Sequence, residues 1–354
     1  MPHKNKHQDI YITTDKIFSH FDTLYQWSKG ENISPITVEI HLTERCNNRC
    51  FYCHYPKMPQ SMELEDFKTA IEKLFSTHTK AIILSGGGEP TLHPRLSEAI
   101  QTTSAAGMDS AIITNLLQYD EEIYTTILEH CTWCRISLDA SNAYLYKTIR
   151  GVDGFEQVMF NIHQFAKLKK KLHSQTTIGV QSVVNRYNID DLYNEIQLTS
   201  KLGVDYIQIR PVETMPNEEL IYSIQQYDHI MGQIEAGFQS ERKNFKVIRS
   251  NKWDIINPYL QKREHGFSFC HAYMLIAAID VRGDMYVCCH QIEKRNKALC
   301  YGNIFQEPIE LILSRREEVI RNLDLRQCYL ECRASNINRR LESLRRAVPH
   351  KNFL

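Results

Sequence analysis

Cys46, Cys50 and Cys53 stand in the run Arg45-Cys-Asn-Asn-Arg-Cys-Phe-Tyr-Cys-His54, three thiols on one short segment. Thiolates this close suit three irons of a cubane iron-sulfur cluster and leave the fourth iron without a protein ligand, open for chemistry. With 11 cysteines in 354 residues, chance places two more at fixed offsets from a given one only about once in a thousand. Zinc prefers four closed ligands in paired CxxC or Cys/His clusters, and His54 adjoins Cys53 too closely to complete one easily. A second candidate is the turn Ser85-Gly-Gly-Gly-Glu-Pro-Thr-Leu-His-Pro94. Its glycines would let the backbone approach a ligand, and the carboxylate of Glu89 suits an ammonium group. Six further cysteines, at 270, 288, 289, 300, 328 and 332, gather near the C-terminal end.

These segments need a scaffold, and the sequence supplies an alternating one. β-type runs at 37–42, 81–84, 111–114, 133–138, 177–184 and 206–210 alternate with amphipathic segments. The stripes Phe67, Ile71, Leu74 and Phe155, Val158, Ile162, Phe165 each mark one helix face. This β/α alternation predicts an α/β fold with a parallel sheet. Six units fall short of the roughly 250 residues of a full eight-stranded barrel, so a partial (β/α)6 TIM-type barrel is expected. The cysteine segment follows the first strand and the glycine turn follows the second, at the strand ends where such folds gather function. Asn115, Ser137, Asp139, Gln181 and Arg210 sit at or near later strand ends and should face the same cavity. Cys131 and Cys134 fall at the start of the fourth strand, on the opposite end, and read as core thiols. The runs 273–280 and 285–289 around Arg282-Gly-Asp284 predict a β-hairpin in a separate small domain. The expected organisation is a lead-in at 1–36, a core at 37–240 and a C-terminal domain at 241–354.

Bulk composition limits the partners. Basic and acidic residues balance, 42 against 42, so no global field recruits nucleic acid or an anionic membrane. No signal-peptide stretch and no apolar run of about 18 residues is present, which predicts a cytoplasmic protein. Cysteines clustered at short spacings in a reducing compartment argue for metal ligation over disulfides.

The CxxxCxxC spacing, with Tyr52 before the last cysteine, resembles the signature of the radical S-adenosylmethionine (SAM) superfamily. Gly87, Gly88, Glu89 and Pro90 take the places of that family's GGxEP element, which binds the amino group of SAM. The resemblance implies that Cys46, Cys50 and Cys53 hold a 4Fe-4S cluster whose open iron chelates SAM. Reductive cleavage then yields a 5′-deoxyadenosyl radical that removes hydrogen from a substrate. It also implies that Ser137 and Gln181 reach the ribose or adenine, that Tyr52 and Val180 pack on the adenine, and that Arg210 pairs with a carboxylate; Arg150 is a weaker candidate. Cys270, Gly283 and Cys288 match the CX9–15GX4C opening of SPASM and twitch auxiliary-cluster domains, and Cys328-Tyr-Leu-Glu-Cys332 resembles their CxxxC element. The CxxC that a full SPASM domain carries before that element is missing. A single auxiliary 4Fe-4S cluster on Cys270, Cys288, Cys328 and Cys332 is therefore implied, with Cys289 on the opposite strand face. Cys300 is a candidate hydrogen-atom donor, as a thiol can be in radical epimerases, against the plainer reading of a bystander thiol.

The function expected from this resemblance is hydrogen abstraction from a small polar substrate. Dehydrogenation or epimerisation of a sugar, aminocyclitol or nucleotide-linked sugar leads, with an electron donor such as flavodoxin or ferredoxin as partner. The endings Asn338-Arg-Arg-Leu-Glu and Pro349 to Leu354 look similar to members associated with carbohydrate-modifying gene clusters. A ribosomal-peptide maturase is the alternative enzyme; about 36 residues before the first strand are short for a domain that grips a leader peptide. A non-catalytic iron-sulfur or zinc module is the alternative from another class, and it would need neither an open iron nor Glu89.

Overall fold

The computed structural model describes residues 13–213, 222–259, 264–330 and 332–345. Residues 1–12 of the lead-in and the ending Pro349 to Leu354 lie outside them. Strands β1 (Thr37–His41), β2 (Ala81–Ser85), β3 (Asp109–Thr114), β4 (Cys131–Ser137), β5 (Thr177–Val184) and β6 (Tyr206–Pro211) occupy the six expected runs. They pair in parallel, in chain order. Between them run α1 (Leu64–Ser76), α2 (Leu96–Ala105), α3 (Glu121–His130), α4 (Ala143–Arg150), α5 (Phe155–Leu172) and α6 (Leu192–Thr199). Side chains set these limits. Asp120 caps α3 by accepting from the Ile123 amide, Asn142 caps α4 by accepting from the Leu145 amide, and Gly151 ends α4 in the left-handed region that favours glycine. The apolar stripes of α1 and α5 are buried as their spacing predicts, Phe67, Ile71 and Leu74 on one and Phe155, Val158, Ile162 and Phe165 on the other. Among the described residues no helix is long and apolar enough to cross a membrane.

The sheet extends past both ends of the six-stranded unit. On one side β7 (Lys246–Arg249) pairs in parallel with β6, beyond the boundary expected at 240. On the other, β8 (Ile276–Ile279) pairs in parallel with β1 and leads into antiparallel β9 (Asp284–Tyr286) and β10 (Cys300–Asn303). The result is one ten-stranded sheet in the order β10-β9-β8-β1-β2-β3-β4-β5-β6-β7. The C-terminal hairpin thus joins the main sheet through β1. The hairpin is also shorter than expected. Cys288 caps and Cys289 begins a short helix, α7 (Cys289–Glu293), where the sequence predicted a strand. A last helix, α8 (Ser335–Arg345), covers the C-terminal segment.

Strand alternation sorts polar from apolar. On β1, Val38 and Ile40 are fully buried in the hydrophobic core, while Glu39 belongs to the opposite, interior face and lines a cavity there. That interior face is where the site lies.

Candidate active site

The cysteine segment is held from two sides by backbone contacts. The Gly88 amide donates to the Thr43 carbonyl at 3.0 Å and the Glu89 amide to the Arg45 carbonyl at 2.7 Å. From the other side, the Arg49 amide donates to the Arg150 carbonyl at 2.8 Å and the Phe51 amide to the Ile149 carbonyl at 3.2 Å. The glycines contribute differently from the expectation of close approach to a ligand. A Cβ on Gly88 would lie 2.1 Å from the Arg45 carbonyl oxygen, so the constraint comes from the cysteine segment itself. Gly151 serves the second seam in the same way: a Cβ there would meet the Arg49 carbonyl oxygen at 2.5 Å.

The segment so fixed places Cys46, Cys50 and Cys53 on a cavity of about 290 Å³. Tyr52, Gly87, Gly88, Glu89, Asn115, Ser137, Gln181 and Arg210 line the same cavity, bringing together residues from six strand ends. Pro90 is buried and does not line it; it begins the short turn Pro90–Leu92 that Glu89 caps. Val180 is fully buried in the hydrophobic core, because neighbours on one strand face opposite ways; Val183, two residues beyond Gln181, lines the cavity. Cys300 lies on β10, packed beside Cys289 and Tyr286, and lines neither the cavity nor the cysteine cluster described below. This corrects its candidacy as a hydrogen-atom donor. Cys131 and Cys134 are core thiols, and burial pushes Cys131 up to about 11.

Glu89 is almost fully buried and accepts four hydrogen bonds: from the Thr91 amide and hydroxyl, the Thr114 hydroxyl and the Asn115 amide. Burial raises its pKa, and these donors oppose the rise. Its Oε2 takes only the Asn115 amide among them, leaving acceptor capacity on the cavity side. Asn115 is itself a tether, donating from Nδ2 to Asn47 at 2.7 Å and accepting from the Leu117 amide.

Arg150 emerges as a central residue. Its guanidinium pairs with Asp139 at 2.8 Å, reaches the Cys50 sulfur at 3.5 Å and lies over the Tyr52 ring. The Tyr52 hydroxyl donates to Asp139, so the aromatic residue inside the cysteine motif is fixed by the same carboxylate. Burial alone would lower the Arg150 pKa, but Asp139 together with Tyr52, the Cys50 sulfur and Tyr146 outweighs it and raises the pKa well above its ordinary value. Glu39, Tyr55, Ser85, Glu213 and Glu293 line the cavity without having been singled out from sequence. For Glu39 a signal existed: two polar residues, at 39 and 41, alternate with apolar ones along β1. Glu213 pairs with Arg210 at 2.8 Å and Lys252 at 2.9 Å, and those cations overcome burial to hold it well below the carboxylate range.

A second cavity is lined by Cys270, Cys288, Cys328 and Cys332, with His290, Tyr329 and Arg333. The four cysteines singled out by spacing are thus neighbours despite their separation in sequence, while Cys289 turns away into the β9–β10 side. Burial, then the neighbouring thiols, push Cys270 up to about 12; burial and Cys332 do the same for Cys328. Buried thiols that repel one another's ionised forms make a donor set completed by a cation.

Both cysteine sets fit iron-sulfur clusters. In the first cavity burial raises the pKa of Cys46 and Cys53, and the buried Gln181 Oε1 has no partner among the described residues, as a site for a polar ligand requires. Among the described residues no three His, Cys, Asp or Glu side chains converge on a single-ion position; cubane ligands each take a different iron and need not do so.

Residues 40–196 match the profile of the Radical SAM superfamily. A protein of Saccharolobus islandicus named "Probable GTP 3′,8-cyclase" is 25% identical over 234 residues, 63% of this chain and 74% of that one. A Pyrococcus abyssi protein of the same name is 28% identical over 196 residues, 52% of this chain and 60% of that one. Among solved structures, Streptococcus suis SuiB superposes with a TM-score of 0.65 at 13% identity, covering 85% of this chain and 70% of its own. The AdoMet-bound anSMEcpe superposes at 0.60 with 17% identity, covering 81% and 83%. At these identities the two structures speak for the fold.

Proposed function

We propose that this chain, whose residues 40–196 match the Radical SAM superfamily profile, is a radical SAM enzyme that uses a 4Fe-4S cluster and SAM to remove hydrogen from a small polar substrate and dehydrogenate or epimerise it. A sugar, aminocyclitol or nucleotide-linked sugar is the substrate class. The observation that carries this reading is the lining of the first cavity: beyond the three cysteines and Glu89 it presents Ser85, Gln181, Arg210, Glu213 and Glu293, a set suited to hydroxyl and phosphate groups.

When bound, the first cluster and SAM supply an electron and a carbon-centred radical; the protein binds, orients and shields. Cys46, Cys50 and Cys53 would hold that cluster and Glu89 Oε2 the SAM ammonium. Ser137 and the free Gln181 Oε1 would take the ribose or adenine. Arg150 beside the Cys50 sulfur provides a fixed positive charge next to a thiolate. Cys270, Cys288, Cys328 and Cys332 would hold the auxiliary 4Fe-4S cluster, a one-electron acceptor suited to dehydrogenation. Glu293 connects the two cavities: it lines the first, while α7, which carries it, has its N-cap at Cys288 of the second. Its carboxylate accepts from the Tyr329 hydroxyl at 2.6 Å. His290 and Tyr329 overcome the effect of burial and hold its pKa low, so it serves the cavity as a hydrogen-bond acceptor for a substrate hydroxyl.

The test is anaerobic reconstitution with SAM and a reductant, reading 5′-deoxyadenosine by mass. Deuterated sugars and cyclitols, GTP and peptides are offered in separate arms. Deuterium reaching 5′-deoxyadenosine from a sugar or cyclitol supports the proposal. Label arriving only from a peptide makes the enzyme a maturase, and turnover of GTP alone assigns it the substrate in its relatives' name.

A further inference from the structure

Arg333 follows Cys332 and spans the space between the two cavities. Its Nη1 donates to Glu39 Oε2 at 2.5 Å, and Glu39 lines the first cavity while Arg333 lines the second. Glu39 is held in place from its other oxygen by the Ser85 hydroxyl at 2.6 Å. The guanidinium is planar and its donors are fixed relative to one another, so anchoring Nη1 determines where Nε and Nη2 point. Both are shielded from solvent and have no hydrogen-bond partner among the described residues. A salt bridge built only to hold β1 against the C-terminal segment would use Nη1 and leave the other nitrogens to water or carbonyl oxygens. Arg333 lines the cavity of the four cysteines, and shielded, unmet guanidinium donors beside such a cavity call for an acceptor.

We infer that Arg333 is a positioning residue that donates Nε–H and Nη2–H hydrogen bonds to sulfur atoms of the auxiliary cluster and thereby sets its reduction potential. This rests on the proposed auxiliary cluster. Hydrogen bonds to cluster sulfurs and a nearby positive charge both stabilise the added electron of the reduced state, so they raise the potential. Glu39 partly offsets the charge but not the donors, since it occupies Nη1 alone. The arrangement makes the auxiliary cluster easier to reduce, as an acceptor of substrate electrons requires.

The experiment uses the full chain with Cys46, Cys50 and Cys53 replaced by Ala, so that one cluster alone gives signal. Iron and sulfide per chain are measured first, then the midpoint potential by redox titration followed by electron paramagnetic resonance. Arg333→Met should shift the midpoint negative by about 59 mV, a tenfold change in the oxidised-to-reduced ratio at fixed poise. Arg333→Lys keeps the charge and the Glu39 pair while losing the fork, and should shift it part of the way with full iron. An unchanged midpoint in an iron-replete Arg333→Met protein overturns the inference. So does loss of iron in both variants, which would make Arg333 a residue needed for assembly. Absence of iron in the parent protein with Arg333 intact would instead overturn the auxiliary cluster itself.

Discussion

Replacing Gly88 with Ala should separate the two halves of the proposed SAM site. The added Cβ would fall 2.1 Å from the Arg45 carbonyl oxygen, about 1.3 Å inside ordinary contact at 3.4 Å, and 2.7 Å from the carbonyl carbons of both Glu44 and Arg45. Those atoms are backbone and cannot swing aside as a side chain would. Overpacking of this kind costs about 1–3 kcal/mol. The Gly88–Thr43 and Glu89–Arg45 hydrogen bonds, which the clash forces apart, add about 1 kcal/mol each. A loss of about 3–5 kcal/mol is expected in denaturant titration. If Glu89 moves by about 1 Å, losing the charge-assisted bond proposed between it and the SAM ammonium costs about 1.5–3 kcal/mol, or roughly 10- to 100-fold in Kd by calorimetry. Gly87→Ala is the internal control. Its Cβ meets the Tyr55 ring edge at 3.4 Å, an ordinary contact, and its backbone is not in the left-handed region, so its stability should stay within about 1 kcal/mol of the parent. Equal stability and SAM affinity in the Gly88→Ala and Gly87→Ala proteins would refute the claim that the glycine turn and the cysteine segment are positioned by direct backbone contact.

Replacing Cys46, Cys50 and Cys53 together by Ala should abolish 5′-deoxyadenosine formation and remove about four irons per chain while leaving circular dichroism unchanged. Replacing Cys270 and Cys332 should lower a full complement of about eight irons to about four, with SAM cleavage partly retained and substrate oxidation lost; iron analysis and product assays read both. Glu195, fully buried against the Ser182 hydroxyl, is pushed up to about 8 by burial and then by Asp139. Its folded pKa lies above its unfolded value, so its stabilising share is fully present below about pH 4.5 and is lost as pH rises through about 8. Glu195→Gln should therefore flatten the fall in stability across that window and gain a few kcal/mol at about pH 8.5, measured by denaturant midpoints at several pH values.

Periodicity made the six parallel strands and the buried faces of α1 and α5 legible, because a strand end or helix face is written in adjacent residues. Motif spacing did the same for Cys46, Cys50 and Cys53, which share one segment. What stayed hidden depends on partners distant in sequence. Nothing local to Ile276–Ile279 says that it will pair with β1, and Arg150 gains its meaning only from Asp139 and the Cys50 sulfur. Val180 and Gln181 show a local rule left unapplied: adjacent strand residues cannot both face one cavity, and the polar one does. At Cys288 and Cys289 a run of β-formers ends in a helix, so the two thiols diverge through a change of backbone where strand alternation had been expected.

The pairing of β8 with β1 also bears on how the chain is made. Val38 and Ile40 lie on a strand whose second edge is covered by residues synthesised more than two hundred positions later. At cellular elongation rates that interval is on the order of ten seconds or more, during which an apolar strand presents unpaired backbone groups to solvent. The nascent barrel therefore cannot reach its final sheet until the C-terminal segment leaves the ribosome. Chaperone occupancy should peak before that point, and truncation ahead of β8 should yield aggregates rather than a smaller enzyme.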